Sequence, residues 1–179
     1  EAHGRNFLTG VATDSHRLSS SSLEIENIND FTSLILPRKT VFQLCSLLTE
    51  DASQLTMQTT DNKVKFNLGN MKLISKVIDG KFPDYKKVVP TGNDKILFVS
   101  SKDFINSIER VASVSLDRKE GVKLVINKDN VKLSVNSANS GDGNEIIKAE
   151  FNSDNLNISF NSKYLTDIAS EVEDKNLKM

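Results

Sequence analysis

The feature that most constrains the fold is a strand pattern followed at once by a helix pattern, which occurs three times along the chain. Each copy begins with a short apolar run and continues into a segment whose apolar residues recur at helical spacing. The junctions lie at residues 33–39, 96–102 and 156–163, so the copies are about 60 residues apart. This spacing predicts a repeated unit of one strand, one helix and several further strands.

The three predicted helices each have an apolar face and a recognisable start. The apolar faces are Val41, Leu44 and Leu48, then Phe104, Ile108, Val111 and Ala112, then Leu165, Ile168 and Val172. Pro37 suits the first turn of the first helix, and Ser101 and Ser162 can accept hydrogen bonds from the free amides of the other two. The single cysteine, Cys45, is surrounded by leucines, so we expect it to be buried.

Segments with alternating apolar residues predict strands between and after the helices. They run over residues 54–59, 63–68, 71–77, 122–127, 131–137 and 146–151. Turn residues separate them at 61–62, 69–70 and 128–130, and residues 137–143 have the composition of a flexible hairpin loop. Each unit is therefore expected to place one helix against an antiparallel meander, which is an α+β fold.

A connector is predicted near the middle of the chain. Residues 82–94 contain Pro83, Pro90 and Gly92 and show neither strand nor helix periodicity, which is typical of a segment between domains. We therefore expect two domains, residues 1–90 and 91–179. The hydrophobic content of 37% is sufficient for a core in each.

Composition and motifs exclude several classes of protein. The net charge of −1 argues against a protein that binds phosphate over its whole surface, so any contact with nucleic acid must be local. Apolar runs are shorter than the roughly 20 residues of a membrane span, which predicts a soluble protein without a membrane partner. The sequence lacks a phosphate-binding loop motif and a cysteine and histidine cluster with metal-ligand spacing. We therefore expect no cofactor and no bound metal.

Two short runs are the most specific motifs of the chain: Val11-Ala12-Thr13-Asp14-Ser15-His16-Arg17-Leu18 and Asp79-Gly80-Lys81-Phe82-Pro83-Asp84-Tyr85. The first resembles the (V/A)TD(G/S)HRL stretch, and the second is similar to the DG(K/R)FPDY stretch, of the bacterial DNA polymerase III beta subunit family, the sliding clamps. The resemblance extends from about Leu8 to Met179. It implies the DNA-clamp fold, with residues 1–90 as the C-terminal part of the family's second domain and residues 91–179 as its third domain without the last strands.

The resemblance also implies a function. It implies a non-enzymatic ring that encircles double-stranded DNA, is a homodimer in the intact protein, and confers processivity on the replicative polymerase. The implied partners are DNA polymerase subunits, the clamp loader and repair proteins, bound through short peptide motifs in the cytoplasm. Without the family's first domain, this chain is not expected to close a ring, and it is expected to bind partner peptides more weakly than the intact protein.

Eight residues match the family's partner-peptide pocket. They are Thr13, Ser15, His16, Arg17, Leu18, Pro83, Lys87 and Val88. Within this set, Leu18, Pro83 and Val88 offer an apolar floor with polar residues at its rim. Without the resemblance, the same residues are more simply explained as packing between domains.

Two other classes of function compete with this interpretation. Asp14, Ser15 and His16 include the residue types of a hydrolase triad. However, adjacent side chains of a strand point to opposite faces, which argues against catalysis by this set. The second competing class is a stand-alone β-rich interaction module without a role on DNA.

Lysines occur at the same place in all three repeats, within one turn of each helix start. A cation there opposes the positive end of the helix dipole, so another role is expected to favour it. The resemblance implies that these helices line the hole of the ring, where basic residues hold DNA phosphates without reading bases. The implied DNA-facing residues are Arg38, Lys39, Lys102, Arg110 and Lys163, with Arg118 and Lys119 as further members. The alternative is that they are ordinary solvated side chains.

Overall fold

The computed structural model of the chain has two compact units. The structure describes residues 5–26, 31–48, 54–115, 121–138, 140–172 and 175–179. The units are residues 1–89 and 90–179, so the division falls inside the connector predicted from Pro83, Pro90 and Gly92. Both units combine helices with antiparallel sheets, as the α+β prediction requires.

The first unit contains a separate hairpin and a helix packed on a three-stranded sheet. Its elements are β1 Asn6–Thr13, β2 Leu18–Ile25, α1 Arg38–Leu47, β3 Leu55–Thr59, β4 Lys63–Leu68, β5 Met71–Lys76 and a 3₁₀ turn at Tyr85–Lys87. Strands β1 and β2 pair with each other, and the other sheet has the order β3-β4-β5. The apolar run before α1 contributes a single bridge, Ile35 to Ile78.

The core of the first unit lies between α1 and one face of the three-stranded sheet. Alternation along β4 buries Val64, Phe66 and Leu68, and Leu44 of α1 packs against this cluster. The start of α1 is attached to β5 by a hydroxyl pair, Thr40 Oγ1 to Ser75 Oγ at 2.6 Å. One face of this sheet therefore faces the helix, and the other faces away from it.

The predicted apolar face of α1 is buried only at Leu44. Thr40 is buried and Leu44 is half-buried, whereas Val41 and Leu48 are each 42% exposed and Cys45 is exposed. The helix turns by about 100° per residue, so Val41 and Cys45, which directly follow Thr40 and Leu44, point away from the sheet. The hydroxyl pair with Ser75 and the packing of Leu44 determine this phase, and neither is visible in the local pattern.

The second unit is one six-stranded antiparallel sheet with two helices. Its elements are β6 Leu97–Ser100, α2 Ser101–Ala112, β7 Gly121–Ile126, β8 Asn130–Ser137, β9 Gly141–Phe151, β10 Leu156–Asn161, α3 Ser162–Ser170 and β11 Asn176–Lys178. The strand order is β10-β7-β8-β9-β6-β11. Helix α2 buries Phe104, Ile108 and Val111 in the core, as its apolar spacing predicted.

Helix α3 follows the prediction only in part, since Leu165 packs against the core but the other predicted residues do not. Ala169 is 2% exposed, whereas Ile168 is 53% exposed and Val172 lies beyond the helix end. Ser101 donates a hydrogen bond to the carbonyl of Ala169, which joins α2 to α3 through small residues. Small side chains allow close approach of two helices, and the covered face of α3 is the one that carries Leu165 and Ala169.

The helix caps lie one residue before the predicted positions. Ser100 caps α2 by accepting from the Asp103 amide, and Asn161 caps α3 by accepting from the Lys163 amide. Pro37 is likewise the residue before α1, and its carbonyl accepts from the Thr40 amide at 2.9 Å. A cap residue has extended backbone angles and only its neighbour is helical, so the predicted caps Ser101 and Ser162 are the first residues of their helices.

The predicted flexible loop at residues 137–143 is shorter than expected. Strand β9 already begins at Gly141, and Gly143 pairs with Val135 of β8. A Cβ atom at Gly143 would lie 2.6 Å from Val114 Cγ2 and 2.7 Å from the carbonyl oxygen of Val111. The glycine therefore permits the C-terminal end of α2 to lie directly on β9.

We predict that Gly143→Ala destabilises the chain. The added methyl group must displace the backbone of α2, and overpacking of this kind costs about 1–3 kcal/mol. Gly121→Ala is the matched control, because its Cβ would meet only the Phe160 carbonyl at 3.6 Å. The free energy of unfolding from urea titration measures both. Equal stability of Gly143→Ala and the wild type would contradict the close approach.

Candidate partner-binding and nucleic-acid sites

The first candidate cluster is the turn between β1 and β2. Thr13 and Leu18 are the last paired residues of the hairpin, and Ser15 has a φ of +74°, in the left-handed region that is uncommon for residues other than glycine. Ser15 and His16 therefore lie in a turn and not in a strand. The expectation that these residues lie in a strand, which was the argument against a hydrolase triad, was therefore wrong.

Asp14 holds this turn together. Its Oδ1 accepts from the amides of His16 at 3.1 Å and Arg17 at 3.0 Å, and its Oδ2 accepts from Arg17 Nε at 3.0 Å. Thr13 adds a hydrogen bond from its hydroxyl to the Arg17 carbonyl at 2.7 Å. Both carboxylate oxygens of Asp14 thus have structural partners, which favours a turn-forming role over a place in a hydrolase triad.

These contacts also shift the ionisation of Asp14. The hydrogen bond from the His16 amide is the largest cause that lowers the pKa of Asp14, followed by the amide and guanidinium of Arg17. Sequence reasoning placed Asp14 only in the alternative triad. An aspartate that precedes a tight turn by one residue is a known signal for this chemistry, because its side chain accepts from amides two and three residues later.

The second candidate cluster surrounds the 3₁₀ turn. The Tyr85 amide donates to the Pro83 carbonyl at 2.8 Å, and the Val88 amide donates to the Tyr85 carbonyl at 3.1 Å. Lys87 forms an ion pair with Asp84 at 3.1 Å. The turn leaves Val88 with 71% of its surface exposed, so this side chain is accessible from solvent.

The structure thus places the eight predicted pocket residues in two local groups of the first unit. Thr13, Ser15, His16, Arg17 and Leu18 are brought together by the hairpin turn, and Pro83, Lys87 and Val88 by the 3₁₀ turn. Arg17 and Leu18 are half-buried, and Ser15 and His16 are exposed. That the two groups form one groove remains a proposal.

The three predicted lysines occupy the same structural position. Helices α1, α2 and α3 begin at Arg38, Ser101 and Ser162, so Lys39, Lys102 and Lys163 are each the second residue of a helix, and all three are exposed. The lysine therefore has the same position in its helix in both units. The position lies at the positive end of the helix dipole, where the helix itself gains nothing from a cation.

The other predicted basic residues have different surroundings. Arg110 makes a two-point contact with Glu145, with Nε to Oε2 at 2.9 Å. This contact lowers the pKa of Glu145 and raises the pKa of Arg110, so much of the Arg110 charge is already balanced.

Two further basic residues have neighbours of their own. Lys163 forms an ion pair with Asp167 at 3.2 Å, and the Arg38 guanidinium lies 5.1 Å from the Phe42 ring centre. Arg118 and Lys119 lie outside the described residues.

Neither a membrane-spanning helix nor a group of metal-holding side chains is present among the residues that the structure describes. Within those residues, no helix is long and apolar enough to cross a membrane. In the same part of the chain, no group of three or more histidine, cysteine, aspartate or glutamate side chains is placed to hold a metal ion.

Comparison of the chain with known protein families shows which family it matches. Residues 2–84 match the central domain of the DNA polymerase III beta subunit, and residues 86–179 match its C-terminal domain. The chain belongs to this family, the bacterial beta sliding clamps. The resemblance carried by the two signature runs is thereby confirmed.

Individual clamps agree with this assignment. The chain is 33% identical to the beta sliding clamp of Caulobacter vibrioides over 94% of its own length and 46% of the relative's. It is 30% identical to that of Escherichia coli strain K12 over 100% of its length and 49% of the relative's. The chain thus spans about half the length of the clamps it matches.

Solved clamps share the fold. The Bartonella birtlesii sliding clamp bound to griselimycin is 38% identical, with a TM-score of 0.90 over 96% of this chain and 47% of that clamp. The Caulobacter crescentus clamp gives a TM-score of 0.89 at 32% identity, over 98% of this chain and 47% of that clamp. The predicted DNA-clamp fold is therefore confirmed.

We predict that Asp14 titrates below the ordinary aspartate range in the folded chain. A carboxyl whose pKa is lower in the folded than in the unfolded chain stabilises the fold above its unfolded pKa, and this contribution is lost as the pH falls through the folded pKa. The turn should therefore loosen only below about pH 4. Carboxyl ¹³C NMR measures the titration directly.

Two variants separate the causes of this shift. Arg17→Gln should return the Asp14 pKa part of the way to the ordinary value, because the His16 amide, which has the largest effect, is retained. His16→Ala keeps that backbone amide, so it should leave the Asp14 pKa low. An ordinary pKa in the wild type would contradict the turn described for Asp14.

Proposed function

We propose that the protein containing this chain encircles double-stranded DNA as a closed ring and confers processivity on a replicative DNA polymerase. The observation that carries this proposal is the match of two consecutive clamp domains, in family order, over residues 2–84 and 86–179. In this role the protein is not an enzyme. It acts by tethering, in the cytoplasm, as a homodimer in its intact form.

The proposed domain assignment follows from the same matches. Residues 1–90 would be the C-terminal part of the clamp's second domain, and residues 91–179 would be most of its third. The division between the two compact units after residue 89 supports this assignment. Both parts would then contribute helices of the same type to the ring.

We propose that the helix starts face the DNA. The support is the common register of Lys39, Lys102 and Lys163 as the second residues of α1, α2 and α3, all exposed. A lysine is a hydrated point charge on a flexible stem, which suits loose contact with phosphates and allows sliding. Arg38 is the first residue of α1, next to Lys39, whereas Arg110 contributes less because it is paired with Glu145.

We further propose that the two clusters of the first unit form part of one pocket for partner peptides. Leu18, Pro83 and Val88 would supply the apolar floor, and Arg17 and Lys87 the charged rim. Val88 is 71% exposed, so a partner peptide can reach it. DNA polymerase subunits, the clamp loader and repair proteins would bind here through short motifs. The remaining residues of the proposed pocket are Thr13, Ser15 and His16.

Encirclement of DNA is tested in the intact protein. After loading by its clamp loader, the protein should remain on closed circular DNA during gel filtration and should be released when one cut linearises the circle. Retention depends on topology, so no single lysine should be essential. Release that is equally fast from circular and linear DNA would contradict the ring.

The same assay tests the helix lysines. Lys39→Glu, Lys102→Glu and Lys163→Glu together should reduce loading and retention, and the difference from wild type should grow as salt is lowered. A variant with Lys123, Lys132 and Lys148 changed to glutamate is the control, because these exposed strand residues give the same change in charge. Equal loss in both triple variants would contradict a specific role for the helix starts.

A separate prediction concerns the pocket. In the intact protein, Val88→Asp and Leu18→Asp should each weaken a fluorescent partner peptide by about tenfold or more, since buried anchor positions contribute about 1–3 kcal/mol each. Val88 is mostly exposed, so its replacement tests binding without a cost to folding. Fluorescence anisotropy gives the affinities.

Leu23→Asp is the matched control for the pocket. Leu23 is an apolar residue of the same hairpin with 67% exposure, but it lies outside the proposed pocket. Its replacement should leave peptide affinity unchanged. Unchanged affinity in Val88→Asp and Leu18→Asp would remove these residues from the site, even if encirclement of DNA is found.

A further inference from the structure

The three-stranded sheet of the first unit carries lysines on the face turned away from α1. Val64, Phe66 and Leu68 of β4 point to the core, so the alternate residues of that strand point to the opposite side. The lysines on this opposite side are Lys63 and Lys65 of β4 and Lys72 and Lys76 of β5. We call this set the lysine face.

Strand register brings the four lysines together. Lys63 is the direct cross-strand partner of Lys76, Lys65 faces Ile74, and Asn67 faces Lys72. Directly opposed residues have Cβ atoms about 4.5–5.5 Å apart, and alternate residues of a strand are about 6.6–6.8 Å apart. The lysine face is thus one compact patch, although its members are spread over 14 residues of sequence, from Lys63 to Lys76.

The charge of the lysine face is not balanced by nearby sequence. Between Leu55 and Lys76 the only acidic residue is Asp61, which lies in the turn between β3 and β4. Like charges directly opposed across a sheet destabilise it, so the pair Lys63 and Lys76 weakens the hairpin it belongs to. A bound anion would remove this repulsion.

The sheet of the second unit shows that such a patch is not a general property of this fold. Its corresponding face carries Lys123, Lys132 and Lys148, but the neighbouring outward positions include Asp142 and Glu150. There the charges have mixed sign. The single sign of the lysine face is therefore particular to the first unit.

We propose that the lysine face binds the phosphate backbone of double-stranded DNA through residues of β4 and β5, which are distinct from the helix-start lysines although one of those, Lys39, lies beside the face. The polar neighbours on this side of the sheet are Thr56, Gln58 and Asn67, and these residue types, with lysine, make most contacts to phosphate and sugar. Proteins that bind single-stranded nucleic acid stack its bases on aromatic side chains. No residue on this side within 55–76 is aromatic, which argues against binding of a single strand here. Lysine contacts a phosphate as a point charge, whereas arginine has a planar group that can bind guanine at two points. A patch with lysine and without arginine therefore suits contact with the DNA backbone rather than recognition of bases.

A shallow cleft at the edge of β5 extends this patch. It is lined by Lys39 and Gln43 of α1 and by Ile74 and Lys76 of β5. The hydroxyl pair of Thr40 and Ser75 holds the helix start beside this strand. Lys39 therefore lies beside the lysine face. It enlarges the positive surface that a phosphate backbone can contact.

The inference is tested on this chain with a fluorescein-labelled linear 30-base-pair DNA duplex. Anisotropy is recorded at several salt concentrations between 25 and 150 mM. Lys63→Gln, Lys72→Gln and Lys76→Gln together should weaken binding by about tenfold at the lowest salt and should reduce the slope of log affinity against log salt by about 3. Because the duplex is linear, the result does not depend on ring closure, and failure of the encirclement assay leaves it unchanged.

The matched control replaces Lys123, Lys132 and Lys148 by glutamine, which removes the same charge from the second unit. It should bind the duplex like the wild type. Thermal unfolding of the first triple variant should occur at an equal or higher temperature, because a repulsive pair is removed. Equal DNA affinity in the first triple variant and the wild type, or equal weakening in both variants, would overturn the proposal. Binding of polyglutamate but not of DNA to the lysine face would overturn it as well.

Discussion

The burial of one face of an antiparallel sheet by a helix is the interaction on which the rest of this structure depends. In the second unit, Phe104, Ile108 and Val111 of α2 fill the sheet's inner face, and Gly143 lets the helix end touch β9. In the first unit, Leu44 and the Thr40 to Ser75 hydroxyl pair have the same function. Because each helix is held in this way, its first turn and the lysine it carries have a defined place.

The charged residues of this chain form local pairs and patches that its net charge does not reveal. Asp14 with Arg17 and Arg110 with Glu145 are paired and stabilise a turn and a helix end. The lysine face has no comparable acidic partner in its own stretch of sequence. A net charge of −1 therefore coexists with surfaces that suit a phosphate backbone, since affinity for DNA depends on local clusters of cations.

Local patterns predicted much of the fold and part of the site. The turns at Asp61-Asn62 and Gly69-Asn70, the strands they connect and the apolar face of α2 follow from residues close together in sequence. The helix-start lysines were found in the same way. The errors at Cys45 and Ile168 arose because helix phase depends on partners far along the chain, namely Ser75 for α1 and Ser101 for α3.

The sequence by itself determined the α+β class, most of the helices and strands and, through two signature runs, membership in the sliding clamp family; it did not predict β2 and β11. Only the tertiary structure decided how individual side chains are used. It assigned Asp14 to the hairpin turn and Arg110 to Glu145, and it placed Lys63 opposite Lys76. The physical reason is that periodicity reports the secondary structure of a segment, whereas ion pairs and cross-strand neighbours depend on the register between segments that meet only in the folded chain.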